Sequence, residues 1–426
     1  TSAEQFYLRG VAFYCSGKHA RAMVELKLAL GLDASYYDAL MLKATVHNET
    51  GNIEIALKDL ATASRSKPKA PAPYIGLGNI HLQMGDLSKA SDDFVNAIKR
   101  SPRSDVAHVG LAEIYVMQGR LEMALNFYDR ALKFNPASAL AYASRGTTFF
   151  DFGEYENAAL DLERAGGLAP ELSVRLAESR GYANFYIAKY EKAAEAFSEF
   201  IASEPLPPVD IVTMRALSYF YAGELDRAIS DATKAIELAP DDPKLYYNRA
   251  NFHVSAGNDK DALADYNEAI KLDTGYYEAL LNRGKFYFDS GKHFRSLIDF
   301  NRAIEIRPLL VQGYVHRGAA YVAAEMYRQA EDDFRVVLEK EPGYVEIVIA
   351  MSELRSVRGD YTGACMWLNK AMTLGYGNWQ YVWQSPAFSP IRREQCYLDI
   401  VPPAPLSIKG SGNEPDTEPA SLPENQ

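Results

Sequence analysis

Histidine is the residue type in this chain best suited to metal chemistry, and three histidines occupy one register of a repeating pattern. They are His47, His81 and His253. His47 and His81 stand in neighbouring repeats, where packed helices lie about 8–10 Å apart. That spacing is too wide for two imidazoles to share a metal ion. We therefore predict no metal site and expect these side chains in the core or between helices.

The three cysteines, Cys15, Cys365 and Cys396, are the next candidates for chemistry. They lie far apart and show neither a C-x-x-C motif nor the ligand spacing of a zinc site. The pattern predicts no disulfide framework. It favours a reducing compartment, and we expect a soluble, cytoplasmic protein.

Motifs of known catalytic sites are missing from the sequence. There is no P-loop, no H-E-x-x-H and no G-x-S-x-G. The stretch GLGNIH at residues 76–81 begins like a dinucleotide-binding loop but lacks the third glycine and follows no predicted strand. We predict no catalytic residue and no cofactor, and hence no enzyme.

Charge and hydropathy exclude two classes of partner. The formal net charge is -11, and no long basic run is available to neutralise phosphates. Nucleic acid is therefore not an expected partner. No apolar run reaches the ~18 residues of a membrane helix, so we expect no direct membrane insertion. The chain begins without Met, like a segment of a longer protein, which leaves room for a targeting signal upstream.

A turn recurs along the chain at intervals of 34 or 35 residues. Each turn is followed five residues later by Ala or Ser, and a small residue precedes it by seven. The turn positions are Gly17, Gly51, Gly85, Gly119, Gly153, Ala188, Gly223, Gly257, Gly291, Glu325 and Gly359.

Between the turns, apolar residues recur at helical spacing, as at Leu263, Tyr266 and Ile270. Each unit is therefore predicted to form two helices of about a dozen residues joined by the turn. The small residue on the first helix and the Ala on the second allow close packing. Proline, which lacks an amide donor, ends the unit. The prolines at this register are Pro68, Pro102, Pro136, Pro170, Pro205, Pro240, Pro308 and Pro342.

The pattern resembles the tetratricopeptide repeat. One unit shows it through Tyr142, Gly146, Phe149, Ala158, Leu162, Ala165 and Pro170. The resemblance implies an all-α fold, an α-solenoid in which antiparallel helix pairs form a right-handed superhelix. We expect eleven tandem units over residues 3–376 and a capping segment over residues 377–401, where Trp379, Trp383, Phe388, Ile391 and Leu398 would cover the last repeat. Residues 402–426, rich in Pro and acid, predict a disordered tail.

A basic residue directly before the small residue is matched in many units by an acid sixteen residues later. We predict an ion pair between the two helices of each such unit. The pairs are Arg9 with Glu25, Lys43 with Asp59, Arg145 with Asp161, Arg215 with Asp231, Arg249 with Asp265, Arg283 with Asp299 and Arg317 with Asp333.

The sixth unit departs from the pattern. Its turn residue is Ala188, Arg180 faces Ala196, and both flanking intervals lengthen to 35 residues. The extra residues are expected in loops near PELS and PLPPVD, residues 170–173 and 205–210. Two interpretations stay open: a change of superhelical curvature, or an ordinary repeat with longer loops.

In the family that the repeat resembles, the first helices line a concave groove that holds extended peptides or a partner helix. Asn can donate to and accept from one peptide unit, and Tyr offers contact area at low entropy cost. For each single residue, ordinary packing or exposure is the alternative. The groove positions give as candidate peptide-binding residues Tyr182, Tyr186, Tyr221, Lys244, Tyr247, Asn248, Asn251, Asn282 and Lys285.

These positions favour a non-catalytic scaffold or adaptor that binds partner proteins or extended peptides. The alternative is the substrate-holding or targeting arm of a larger enzyme, such as a glycosyltransferase that carries these repeats. In such arms, an asparagine recurs at one groove position through most repeats. Here only Asn248 and Asn282 occupy that register. A clamp for chaperone C-terminal tails is not expected, because no unit has lysine at the position of the first clamp lysine.

Overall fold

The computed structural model describes residues 2–404, and in that range every regular element is a helix. The predicted tail lies outside the described residues from residue 405 onward. The chain divides into two compact units, Thr1–Asp231 and Ala232–Gln426. None of the described helices is both long and apolar enough to cross a membrane.

The first unit is a series of helices in which each packs on the next. Its helices are α1 Ala3–Cys15, α2 His19–Leu32, α3 Tyr37–Glu49, α4 Ile53–Ser66, α5 Ala72–Gln83, α6 Leu87–Arg100, α7 Asp105–Met117, α8 Leu121–Phe134, α9 Ala139–Asp151, α10 Tyr155–Leu168, α11 Pro170–Tyr186, α12 Tyr190–Ser203 and α13 Val209–Tyr221. The boundary between the units falls inside α14, Leu225–Leu238.

The second unit continues with the same alternation and ends in shorter elements. Its helices are α15 Pro243–Ser255, α16 Asp259–Leu272, α17 Tyr277–Asp289, α18 His293–Ile306, α19 Val311–Ala323, α20 Tyr327–Lys340, α21 Val345–Val357, α22 Tyr361–Thr373, α23 Trp379–Gln384, a 3-10 helix Pro386–Ile391 and α24 Gln395–Ile400. Successive helix pairs stacked in this way make an all-α solenoid, as predicted.

The turn between the two helices of a repeat requires a left-handed residue. All eleven predicted turn positions have positive φ, including Ala188 at 56° and Glu325 at 57°. In the turn after α17, the amide of Gly291 donates to the carbonyl of Phe288, and that of Lys292 donates to Tyr287. These bonds satisfy the last carbonyls of the helix, and glycine adopts the necessary conformation without a steric cost. The predicted turns are confirmed.

Where the small residue on a first helix is glycine, it lies under a large side chain of the second helix. A Cβ added to Gly284 would stand 2.5 Å from Phe300, and one added to Gly318 would stand 2.5 Å from Phe334. Phe300 and Phe334 are buried among other side chains. The helices therefore approach closely only because these positions have no side chain.

We expect Gly284→Ala to lower the free energy of unfolding by about 1–3 kcal/mol, because the new methyl group overpacks the ring of Phe300. Thermal and urea melts would measure the loss. The same change at Gly31, in α2 with nothing near its added Cβ, is the control. It should be neutral or stabilising by up to about 1 kcal/mol, since alanine favours helix. Equal destabilisation by both variants would contradict this packing argument.

All seven predicted ion pairs are present. Six have a closest N–O distance of 2.6–2.7 Å, and the seventh, Arg9–Glu25, has one of 2.9 Å. Five of the seven use both carboxylate oxygens of an aspartate. The pairs are Arg9–Glu25, Lys43–Asp59, Arg145–Asp161, Arg215–Asp231, Arg249–Asp265, Arg283–Asp299 and Arg317–Asp333. They connect the first and second helices of their repeats, as predicted.

A third contact of these arginines reaches the preceding repeat. Nη1 of Arg283 donates to Asn267 at 2.7 Å, and Nη1 of Arg317 donates to Asn301 at 2.6 Å. Arg145 contacts Asp129 in the same way. One guanidinium therefore ties three helices together, which the search for sixteen-residue pairs did not predict.

The histidines lie between helices, as expected. Nδ1 of His47 and Oδ2 of Asp59 are 2.7 Å apart, and His81 makes the same contact with Asp93. His253 lies 3.9 Å from Asp265. Each histidine thus meets an acid of the second helix in its own repeat, and none shares a ligand set with another.

The sixth repeat corrects one prediction. Residues 170–173 form no loop but the first turn of α11, which is 17 residues long and begins at Pro170. Proline fits the first helical turn, where its missing N–H costs no hydrogen bond. The other extra residues do lie in a loop, between α12 and α13. Arg180, opposite Ala196 in register, pairs instead with Glu199 and Ser173.

The segment after α22 packs on the last repeat. Phe388 and Ile391 are fully buried there, while Trp379 and Trp383 are partly buried against the same core. The prediction for Leu398 is wrong, because this side chain is 58% exposed. Tyr397 in α24 and Val401 just after it are four residues apart and both belong to the core. Leu398 follows Tyr397 directly and therefore lies on the other side of the helix.

The prediction about the cysteines is also wrong. Cys365 of α22 and Cys396 of α24 form a disulfide with a Cα–Cα distance of 5.9 Å, within the usual range. Cys15 is free and exposed. The argument from cysteine spacing for a reducing, cytoplasmic compartment falls with this finding.

Candidate functional site

The nine candidate residues all lie on first helices, α11, α13, α15 and α17, as their register predicts. They fall into two groups. Tyr182, Tyr186 and Tyr221 belong to the first unit, and the other six belong to the second. Each group is described by itself.

One face of α11 carries two of the tyrosines and an acid. Glu178, Tyr182 and Tyr186 follow each other at intervals of four residues, which places them on the same side of the helix. Tyr186 is 54% exposed. Its ring lies 4.5 Å from that of Tyr155 and is stacked 6.4 Å from that of Tyr182. The face is aromatic at one end and acidic at the other.

Tyr221 repeats this arrangement one repeat later. It ends α13, is also 54% exposed, and its ring is stacked 5.1 Å from that of Tyr190 at the start of α12. In both places, the last tyrosine of a first helix lies against the first tyrosine of the preceding second helix. We call Tyr155, Tyr182, Tyr186, Tyr190 and Tyr221 the tyrosine row.

Two members of the tyrosine row were not among the predicted residues. Tyr155 and Tyr190 begin second helices and so do not occupy groove positions on first helices. A signal for them exists in the repeat register, because each stands two residues after a left-handed turn residue, Gly153 or Ala188. An alignment of the units on their turns would have shown the pair.

Acidic groups set the electrostatics of the tyrosine row. The pKa of Tyr182 is raised, first by burial and then by the negative charges of Asp210 and Glu178. Both carboxylates are solvent-exposed. Tyr182 also makes an edge contact, at 5.3 Å, with the buried ring of Phe197. The tyrosine row is therefore packed on a buried aromatic ring and lies in a negative electrostatic potential.

The second group centres on a hydrogen-bond network between α15, α16 and α17. Nδ2 of Asn282 donates to the hydroxyl of Tyr247 and to Oδ1 of Asn251, both at 3.1 Å. The hydroxyl of the buried Tyr266 donates to the same oxygen of Asn251 at 2.6 Å. Asn251 and Asn282 are thus engaged within the protein, and Tyr266, which sequence reasoning missed, holds them in place.

The remaining candidates have different surroundings. Asn248 is half-buried and makes no side-chain hydrogen bond within residues 2–404, while Lys244 is exposed in the first turn of α15. Lys285 is half-buried near His316. Burial, and then the charge of Lys285, lowers the pKa of His316 to about 4. His316 is therefore neutral near pH 7.

The described residues offer no arrangement for metal chemistry. Within residues 2–404, no group of three or more His, Cys, Asp or Glu could hold a metal ion. The polar side chains around the candidates are amides, hydroxyls and single charges. Such groups are suited to hydrogen bonds and ring contacts with a bound chain.

Two family models match the chain, and both describe the tetratricopeptide repeat. One matches residues 81–145 and the other matches residues 213–277. No curated protein matches the sequence.

The chain is also similar to several solved structures. A tetratricopeptide repeat protein from Parabacteroides merdae is 19% identical, with 56% of this chain and 93% of that chain covered and a TM-score of 0.38. The Cut9–Hcn1 hetero-tetramer of APC/C is 14% identical over 92% of this chain and 90% of that chain, with a TM-score of 0.41. YrrB, a repeat protein with an unusual peptide-binding site, is 18% identical over 52% and 96%, with a TM-score of 0.30.

Proposed function

We propose that this chain, which matches tetratricopeptide repeat models over residues 81–145 and 213–277, is a scaffold for protein interaction that captures an extended peptide segment of its partner on its first helices. Residues 3–376 would supply eleven repeats for this purpose, and residues 377–401 would close the array. The repeats themselves would be non-catalytic.

The observation that carries the proposal is the exposure of stacked tyrosines. Tyr186 and Tyr221 each leave 54% of their surface in water although they end helices whose neighbours are packed. Tyrosine is enriched among residues that dominate binding energy, because it offers a large contact area and loses little entropy. The ring of Tyr155, 4.5 Å from that of Tyr186, and the ring of Tyr190, stacked on that of Tyr221, would hold these side chains in place before a ligand arrives.

The second unit supports the same function through Asn248 and Lys244. Asn248 can give both its donor and its acceptor to one peptide unit, and Lys244 adds an exposed cation on the same helix. Asn251 and Asn282 would contribute to binding indirectly, because their hydrogen bonds to each other and to Tyr247 and Tyr266 keep this part of the surface ordered. With Asn282 engaged internally, a ladder of free amides like that of a glycosyltransferase arm is less well matched.

We expect Tyr186→Ala combined with Tyr221→Ala to weaken binding of peptides selected from a random library. A residue that dominates binding typically contributes at least ~2 kcal/mol, which corresponds to about thirtyfold in affinity. Titration of each selected peptide, by fluorescence anisotropy, would measure the change. The two side chains are largely exposed, so the melting temperature should shift little.

Leu160→Ala is the matched control, because Leu160 is an exposed apolar residue on the second helix α10. It should leave peptide affinity unchanged. If the control weakened binding and the tyrosine pair did not, the partner would bind the second helices and the proposal would be wrong. Asn248→Ala tests the second unit in the same assay.

A further inference from the structure

We propose that the tyrosine row, with Glu178 and Asp210 beside it, receives arginine side chains of the bound peptide segment. This inference rests on the proposed function and adds the chemistry of the ligand. It concerns α11 and α13 of the first unit.

The first step is the state of the two acids. Glu178 lies in the middle of α11 and Asp210 in the first turn of α13, and both raise the pKa of Tyr182. Both are exposed, and neither makes an ion pair or a side-chain hydrogen bond within residues 2–404. Two carboxylates thus act on one tyrosine without a cation of their own.

Two of the nearby arginines are already engaged by other acids, and a third does not pair with Glu178. Arg180, on α11, donates to Glu199 and Ser173, and Arg215, on α13, donates to both oxygens of Asp231. Arg175 is exposed three residues before Glu178 and forms no ion pair with it. The negative potential of this face is therefore left for a cation from outside the chain.

The second step is the combination of acids with aromatic faces. The rings of Tyr182 and Tyr186 are parallel to within 22°, and those of Tyr190 and Tyr221 to within 26°. A guanidinium is planar, stacks on an aromatic face and pairs with a carboxylate through two hydrogen bonds. Lysine offers a compact, strongly hydrated charge that does neither as well. The site therefore fits arginine better than lysine, and a cation better than a neutral side chain.

The third step is the spacing along the ligand. An extended peptide places alternate side chains on the same side. A segment in which every second residue is arginine would direct its cations toward the acids and rings of α11 and α13, with its small residues facing away. This chemistry defines the probe for the test.

The test uses fluorescent peptides of alternating Ala and Arg, with matched peptides in which every Arg is Lys, Gln or Glu. The whole chain should bind the Arg peptide at least tenfold more tightly than the Gln peptide, and more tightly than the Lys peptide. Glu178→Gln should weaken binding of the Arg peptide about three- to tenfold, and Glu178→Gln with Asp210→Asn about tenfold or more. Added salt should reduce the difference, because exposed charges are screened.

Glu195→Gln is the control for charge alone. Glu195 is exposed on α12, the second helix of the same repeat, and its replacement makes the net charge of -11 less negative by one unit, as Glu178→Gln does. This variant should bind the Arg peptide like the unchanged chain. An equal loss with Glu195→Gln would overturn the inference, since the attraction would then be unspecific.

The outcomes separate this inference from the proposed function. If the Arg, Lys, Gln and Glu peptides bound equally well and Tyr186→Ala with Tyr221→Ala still weakened them, peptide capture would stand and the arginine preference would be overturned. If no peptide bound and library selection also returned none, the proposed function would fail and the inference with it.

Discussion

Arg283→Ala is expected to lower the free energy of unfolding by about 3 kcal/mol, one of the largest effects of a single change in this chain. The side chain of Asp299 is 4% exposed, and both its oxygens accept from Arg283, at 2.8 and 2.7 Å. Burial by itself would lower the pKa of Arg283, but its hydrogen bonds and attraction to Asp299 raise it. Without the guanidinium, a buried carboxylate has no compensating charge. Urea melts would measure the loss.

A double change separates the ion pair from simple loss of packing. Arg283→Leu with Asp299→Leu should recover much of the stability, because two apolar side chains need no partner. Arg9→Ala is the control at the same register, where the arginine side chain is 52% exposed, and should cost less than about 1 kcal/mol. Additive losses for the single and double variants at residues 283 and 299 would contradict the pairing.

The repeat register predicted much of the fold because the features it marks are contacts within one repeat. Turn, small residue and ion pair each depend on residues at most sixteen positions apart, so aligning the units was enough to locate them. The third donor of Arg283 depends on Asn267, in the preceding repeat. Polar residues sixteen positions before the arginine, Asn267 and Asn301, were visible in the sequence, but only the packing of neighbouring repeats gives them a partner.

The predictions for residues 170–173 and for the cysteines were wrong for different reasons. Proline disrupts the interior of a helix but is favoured in its first turn, and the sequence allows either role for Pro170. The structure begins α11 there. Cys365 and Cys396 show no spacing motif, and only the return of α24 to α22 brings them together.

The sequence predicted the positions of the candidate residues better than their side-chain hydrogen bonds. Register alone placed Tyr186 and Tyr221 on first helices, and the structure agrees. It could not predict that Asn282 would donate to Tyr247 and Asn251, since those bonds depend on side-chain directions in the neighbouring repeat. Whether the candidate residues bind a peptide stays a prediction.

Truncation after Gly375 is expected to make the protein self-associate. It removes Val382, Phe388, Ile391, Tyr397 and Val401, whose buried side chains share one core with α20, α21 and α22. It also removes Tyr381 and Ser385, which donate to Glu353, a carboxyl group whose pKa is raised by burial. The apolar end of the last repeat would then face water, and repeat arrays need a polar terminal face to stay soluble. Light scattering would show a mass above that of the monomer.

Truncation after Ala404 is the control for the loss of chain length. The cut keeps Pro402, whose carbonyl accepts from Nε1 of Trp383 at 2.9 Å, and it keeps the disulfide between Cys365 and Cys396. Every contact of the segment with α21 and α22 is therefore retained, so the protein should stay as monomeric as the full chain. Two equally monomeric truncations would show that residues 376–401 are not needed to cover the last repeat. Association of the first alone would support a capping role for the segment, because only that cut exposes the core around Leu368 and Ala371.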